Sequence, residues 1–141
     1  MSASYEVPIE RGAIRAFAAA IKSEHAAYDG ARAIIPPTFL TTARLRWEPP
    51  GDNPFDTVGF DRKRLLHAQE EYRFHGPVPA AGETLTATAR LVEQYERTGK
   101  RGGRLRFAVV QTDYHDTQGA LRVEQRTTAV ETSQSPTESA S

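Results

Sequence analysis

The sequence predicts an α+β domain, with helical material on one face of an antiparallel sheet, and three observations carry that prediction. Ile14, Phe17, Ala18 and Ile21 recur at the spacing of one helical face. Phe39, Leu40, Ala43 and Trp47 do the same in a second segment, Ile34 to Trp47, which opens with two prolines. From Ala68 onward apolar residues alternate along strands separated by Gly- and Pro-rich turns. Helices come first and a meander of strands follows. The 141 residues fit one domain, with 1–132 as the folded unit and 133–141 as a disordered tail, polar and low in complexity.

Tyr5 to Ile9 reads as a short extended segment, with Pro8 marking an edge or lead-in. Glu10 to Lys22 is the first helix, with Lys22 in its last turn, where a cation suits the helix dipole. Ser23 to Ala33 connects it to the proline pair. Pro36 and Pro37 lack an N–H and cannot sit inside a helix, but Pro37 can occupy the first helical position. The expectation is that the strands wrap the helix that follows. Glu48 to Phe60 holds three prolines and two glycines and reads as a loop. Asp61 to Leu66 fits either a helical turn or the lead into a strand.

Ala68 to His75 alternates, placing Ala68, Glu70, Tyr72 and Phe74 on one side and Gln69, Glu71, Arg73 and His75 on the other. His67 begins this strand on the second side, with Gln69 and Glu71. Glu83 to Thr98 and Arg104 to Asp116 are long strands joined by the hairpin loop Gly99 to Gly103. Ala108 and Val110 make the second of them apolar on both faces, which suits a central strand. Ala120 to Thr132 closes the sheet.

Eighteen basic and eighteen acidic side chains cancel, which argues against nonspecific nucleic-acid binding as the main task. With no cysteine there is no disulfide, thiolate ligand or thiol nucleophile. The four histidines lack a paired metal-binding spacing. No apolar run approaches the roughly 18 residues of a membrane span, and the N-terminus lacks the pattern of a secretory signal. A cytoplasmic location is the expectation.

Four stretches, Y-E-V-P-I-E-R-G-A-I-R-A-F-A-A-A-I (5–21), I-I-P-P-T-F-L (34–40), E-Y-R-F-H-G-P-V-P-A-A-G-E-T-L (71–85) and Q-R-T-T-A-V-E-T (125–132), resemble the MaoC-like dehydratase family in order. The resemblance is to its N-terminal-type hot-dog domain and to the A subunit of mycobacterial (3R)-hydroxyacyl-thioester dehydratase. It covers nearly the whole chain except 48–66 and the tail. It implies a hot-dog fold, an antiparallel sheet wrapped around a central helix, and a dimer of such units. It also implies an acyl thioester, carried on coenzyme A or an acyl carrier protein, with its carbonyl near the start of the central helix. Free N–H groups there can face a developing enolate oxygen. Pro37, Thr38, Phe39, Leu40 and Tyr28 are the substrate-binding candidates. No metal or redox cofactor is implied.

Active members of the family carry an Asp and a His in a motif resembling G-D-x-N-P-x-H after the first helix. Dehydration needs a base for the proton α to the carbonyl and an acid for the leaving hydroxyl. Here the matching stretch is K-S-E-H-A-A-Y (22–28): Ser23 stands at the Asp position, Tyr28 at the His position, and the Asn-Pro pair is His25-Ala26. Glu24 and His25 are the right residue types out of register, or simply solvated residues past a helix end. Gly51-Asp52-Asn53-Pro54-Phe55 looks similar but lacks a spacer, ends in Phe and follows the central helix, so it reads as turn chemistry. His67 is the other candidate acid or base, against the plain reading of a surface residue at a strand end. Two basic groups, Arg62-Lys63-Arg64 and the hairpin of Arg97, Lys100, Arg101, Arg104 and Arg106, fit solvated strand ends. They also fit docking of an acidic carrier or of coenzyme A phosphates.

The expected function is a subunit of a (3R)-3-hydroxyacyl-thioester dehydratase, or of the reverse hydratase. It would be the substrate-binding half, forming a homodimer or a heterodimer with a catalytic hot-dog subunit. Two rivals stand beside it: a self-sufficient dehydratase, thioesterase or cyclase using His25 or His67, and a non-enzymatic thioester-binding protein.

Overall fold

The computed structural model describes residues 2–133, so the tail expected over 133–141 lies, apart from Ser133, outside the described residues. Five antiparallel strands form one sheet: β1 (Ser2–Pro8), β2 (Leu65–Phe74), β3 (Thr84–Thr98), β4 (Arg104–His115) and β5 (Leu121–Glu131). Their spatial order is β1-β3-β4-β5-β2, so β4 is central and β2 is an edge. Ala108, Val109 and Val110 are all buried, as expected of a strand covered on both faces. Helical material lies before β2: α1 (Arg11–Ala20), a 3₁₀ turn over Phe39–Thr42 and α2 (Ala43–Trp47). The architecture is the α+β hot-dog arrangement. Among the described residues no helix is long and apolar enough to cross a membrane.

The core forms where one face of the sheet meets both helical segments. Tyr5, Val7, Leu85, Ala87, Tyr114 and Val123 come from the strands, Ala13 and Ile14 from α1, and Phe39, Leu40 and Ala43 from the second segment. The Phe17 ring meets Phe39 edge-on, with centroids 5.6 Å apart. At the C-terminal end of α1, Lys22 takes a left-handed conformation (φ 59°). The N–H groups of Lys22 and Ser23 return to the carbonyls of Ala19 and Ala18 at 3.0 and 2.9 Å. That closes the helix with the paired bonds of a Schellman end. Lys22 therefore lies just beyond the last turn in which the sequence placed it.

The central segment differs from the single helix its periodicity suggests. Ile34 and Ile35 are extended, bridging to Ala80 and bonding to the Pro79 carbonyl at 3.0 Å. Pro36 then accepts from the Phe39 N–H at 3.0 Å, which starts a 3₁₀ turn. The Thr42 hydroxyl donates to the Phe39 carbonyl at 2.8 Å. Proline without an N–H and a β-branched Thr bonding back to the backbone both shorten regular helix. The apolar face survives, because 3₁₀ and α geometry both keep residues three to four apart on one side. Phe39, Leu40 and Ala43 are buried and Trp47 packs at the margin. The sheet thus covers α1 as well as this segment.

Strand register sets rows of side chains across the core-facing side of the sheet. Ala87, Tyr114, Val123 and Phe74 form one row. Ala89, Thr112, Gln125 and Tyr72 form the next, and Leu91, Val110, Thr127 and Glu70 the one beyond. The apolar core therefore gives way to polar groups toward one end. In β2 the register with β5 shifts between His67 and Gln69, so that Ala68 is the extra residue of a bulge. This corrects the simple alternation, which put His67 and Glu70 on opposite faces. The bulge returns them to one side, with His67 Nε2 2.8 Å from Glu70 Oε2.

The end of the sheet remote from these polar rows is pinned by the buried Arg122. Its guanidinium meets Glu83 at 2.8 Å and Asp116 at 3.5 Å, and donates to the Pro77 carbonyl at 2.8 and 3.0 Å. Arg122 holds the Glu83 carboxyl below its ordinary range, and the Ala120 N–H does the same for Asp116. Replacing the buried Arg122 with Met leaves the partly exposed Glu83 without its cation and removes about 1–3 kcal/mol of stability, read from denaturant unfolding. Because both carboxyls are depressed in the folded state, their contribution is present above the ordinary carboxylate pKa of about 4 and is lost as pH falls through the folded values. Acid titration of the wild type should show that loss, and Arg122→Met should blunt it. Phe39→Ala, at a fully buried ring, should cost about 3–5 kcal/mol in the same assay.

Candidate functional site

The polar end of the sheet is roofed by the proline-rich segment 48–60. Asn53 organises the roof. Its Oδ1 accepts from the Phe55 N–H at 2.8 Å, capping a 3₁₀ turn over Pro54–Thr57, and its Nδ2 donates to Glu48 Oε1 at 3.0 Å. Gly51 turns the chain at φ 86°, a conformation costly to a residue with a Cβ. Arg106 and Glu131, paired on neighbouring strands, hold the far end of the roof to the sheet. Arg106 lies 5.3 Å from the Phe60 ring centroid. It also donates to Glu131 at 3.0 Å, and Glu131 accepts from the Asp61 N–H at 2.6 Å. Between roof and sheet is an open cleft of about 870 Å³, with Leu45, Pro49, Phe60, Leu66 and His67 among its walls.

Beneath the cleft is a recess of about 70 Å³. The two adjoin, sharing Arg44, Glu48, Asn53, Phe55, His67 and Thr127 as lining. A hydrogen-bond network forms the recess floor. The Tyr114 hydroxyl donates to Gln125 Oε1 at 2.5 Å. Gln125 Nε2 donates to Glu70 Oε1, and to the Tyr72 oxygen at 3.3 Å. Thr127 donates to the same Glu70 oxygen at 3.0 Å, and Tyr72 shares a 2.5 Å hydrogen bond with Thr41. Glu70 thus accepts from Gln125 and Thr127 through one oxygen and meets His67 through the other. His67 completes its coordination through Nε2, which leaves Nδ1 as the ring's other nitrogen for a ligand or water. The His67 side chain is 56% exposed and that of Glu70 only 14%.

Burial sets the protonation of the surrounding groups. It pushes the Tyr114 and Tyr72 hydroxyls well above the ordinary phenol range, and the Tyr5 hydroxyl with help from the Glu48 charge. All three are neutral donors at physiological pH. Glu48 is also raised by burial, against the opposing bond from Asn53. The site therefore sets the hydrogen-bonded His67–Glu70 pair beside a second carboxyl, that of Glu48 on the roof.

Of the catalytic and substrate-binding candidates read from sequence, only His67 lines this cleft. His25 lies beyond α1, where its Nδ1 accepts from the Ala27 N–H at 3.1 Å and its ring sits 5.4 Å from that of Tyr28. His25 caps the 3₁₀ turn Ala26–Tyr28, which ends in Tyr28, and among the described residues no carboxylate is bonded to its imidazole. Phe39 and Leu40 are core residues and Pro37 and Thr38 are exposed at the start of the second helical segment. None of these four lines the cleft or its recess. Sequence reasoning missed Glu70, Glu48 and Gln125. The signal available was a run of polar residues on a face that should have been apolar.

The basic groups are largely engaged. Arg104 pairs with Glu96 at 3.3 Å, Arg97 stacks 5.3 Å from the Tyr95 centroid, and Arg64 and Arg106 converge on Glu131. Arg62 meets Asp56 at 3.9 Å beside the cleft.

A family model for the FAS1-like dehydratase domain region matches residues 2–125. The HadBC (3R-hydroxyacyl-ACP dehydratase) complex from Mycobacterium tuberculosis has a similar chain, with TM-score 0.68 and 22% identity over 92% of this chain and 95% of that one. The ChsH1-ChsH2 complex from the same organism gives TM-score 0.71 and 16% identity over 96% and 86% of the two chains. A MaoC-like dehydratase from Phytophthora capsici gives TM-score 0.73 and 15% identity over 96% of this chain but 48% of its own. No curated protein matches the sequence. With its family model spanning most of the chain and its sheet matching theirs, the protein belongs to the FAS1-like dehydratase-domain family and has the MaoC-like hot-dog fold.

Proposed function

We propose that this chain is the substrate-binding half of a (3R)-3-hydroxyacyl-thioester dehydratase, or of the reverse hydratase, and works with a second hot-dog chain that carries the family's Asp and His. The observation that carries this reading is the state of segment 22–28. Ser23 and Tyr28 occupy the motif's acidic and basic positions, and the nearby His25 spends its Nδ1 on a backbone cap. Neither proton transfer of a dehydration has its group there. The similar chains in HadBC and ChsH1-ChsH2 belong to complexes, which supports a partner. The edge strand β2 offers a place for one. Its unpaired backbone edge is flanked by exposed Leu66 and Phe74, a combination that favours strand addition. The acyl thioester, on coenzyme A or an acyl carrier protein, would lie in the cleft beside β2.

A second reading has one observation in its favour, the His67–Glu70 contact at 2.8 Å inside the cleft. Under it the lone chain is an enzyme with a relocated acid–base pair.

Hydration of a short enoyl thioester, followed by loss of enoyl absorbance, separates the two. The first reading expects no turnover by the purified chain and turnover once a hot-dog partner bearing G-D-x-N-P-x-H is added. In that complex His25→Ala should leave kcat within about threefold, since a residue that touches no reacting atom changes only local stability. Turnover by the chain alone, lost by a factor of about a hundred or more in His67→Ala, would establish the second reading instead. Absence of turnover in every pairing, with thioester binding retained, would leave a binding protein.

A further inference from the structure

Resting on the reading of this chain as a thioester-binding subunit, we infer that the hairpin end of the sheet is a docking surface for an acidic carrier protein, which presents the acyl thioester to the cleft from there. The chain has no net charge, but its charges are segregated. Residues 56–64, 96–106 and 131–133 hold eight Lys and Arg against four Asp and Glu, so the rest of the sequence carries the matching acidic excess. Strand register brings these three segments to one end of the sheet. Arg106 pairs across to Glu131, and Glu131 to Leu65. Just beyond, the Thr132 N–H donates to the Arg64 carbonyl at 2.9 Å. Ser133 lies against Gly103, where an added Cβ would fall 2.8 Å from the Ser133 Cβ. The 3₁₀ turn Arg62–Arg64 and the β3–β4 hairpin therefore flank the end of β5, two strand spacings or about 10 Å apart.

The carboxylates at this end already have cations. Glu96 pairs with Arg104, Asp61 with Arg64, and the buried Glu131 with Arg106 and Arg64, while Asp56 meets Arg62 at 3.9 Å. Lys63, Lys100 and Arg101 are exposed and, among the described residues, form no ion pair. Their charge is left for an outside partner, and its layout selects the kind. A nucleic acid follows a basic stripe along a protein, whereas here the acidic excess of the rest of the chain repels a polyanion that runs past this end. The phosphates of free coenzyme A call for donors that converge on one point. These cations stand apart, on a hairpin tip and on a turn across the end of β5. A compact protein with carboxylates spread over its surface matches that spacing. The position also suits delivery. Arg62 and Phe60 line the cleft, and Arg106 lies 5.3 Å from the Phe60 ring centroid. A carrier docked on the hairpin end stands beside the cleft wall, with its flexible arm free to enter.

The test is equilibrium binding of three octanoyl thioesters to the purified protein by calorimetry: octanoyl-pantetheine, octanoyl-coenzyme A and an acidic acyl carrier protein bearing an octanoyl arm. At low salt the carrier-borne thioester should bind about tenfold more tightly than octanoyl-pantetheine, and high salt should remove the difference. The double variant Lys100→Glu/Arg101→Glu should abolish that gain and leave octanoyl-pantetheine affinity in place, because neither residue lines the cleft. Should the double variant disturb the hairpin by circular dichroism, Lys63→Glu on the neighbouring turn provides the same comparison. Equal affinity for the carrier and for pantetheine overturns the docking surface and leaves the thioester-binding reading intact. A gain that survives charge reversal overturns it too, since the carrier would then dock elsewhere. An equal, charge-dependent gain with octanoyl-coenzyme A makes this end a phosphate site and also overturns it. Binding of none of the three overturns the thioester-binding reading itself, and the docking surface with it.

Discussion

The cleft exists because Glu131 holds the roof at a fixed height. This carboxylate, 5% exposed at the end of β5, accepts from the Asp61 N–H at 2.6 Å and faces Arg106 at 3.0 Å and Arg64 at 3.8 Å. The Asp61 N–H and the two guanidiniums keep its pKa below the usual carboxylate range. A buried anion so partnered is costly to disturb, because each lost partner leaves its charge less well compensated. Arg106 extends the anchor to the Phe60 ring and the Val58 carbonyl, so one acidic side chain fixes the far end of a segment with little regular structure. The near end is fixed independently by Asn53 and Glu48. Between these ties the loop stands over the sheet as a wall.

The fold was largely legible because it rests on local patterns. The helical period of Ile14, Phe17 and Ala18, the alternation of Leu85, Ala87 and Ala89, and the doubly apolar middle of β4 each report a burial that the chain realises. The central segment was legible in its buried face but not in its geometry. Periodicity tells α from β far better than α from 3₁₀, and the proline pair with Thr42 made the difference. The undecided stretch at 61–66 divides into a turn over Arg62–Arg64 and the first residues of β2, since the Asp61 side chain caps the turn through the Lys63 N–H.

The site was much less legible. His67 was visible as a titratable residue at a strand end, but its partner was not, because alternation places residues three apart on opposite faces. Glu48 and Glu70 meet the same recess from segments more than twenty residues apart, and only the fold brings them together. The substrate-binding candidates at 37–40 came from a resemblance to a family, and their own surroundings place two of them in a closed core. The Gly51-to-Phe55 stretch was read as turn chemistry, and that chemistry is what builds the cleft wall.

The bulge at Ala68 has a consequence for how such a site can change over time. With two residues between them, the imidazole faces Glu70 because one of the two is bulged out of the ladder. Point substitutions around the bulge adjust the pair by degrees. Deleting Ala68 removes the bulge and leaves His67 and Glu70 two apart in strict alternation, still on one face, while the paired register from Gln69 to Phe74 can stay as it is. Among descendants of this sequence, loss of Ala68 would therefore keep the pair, whereas a strand that kept the residue and straightened the bulge would part it.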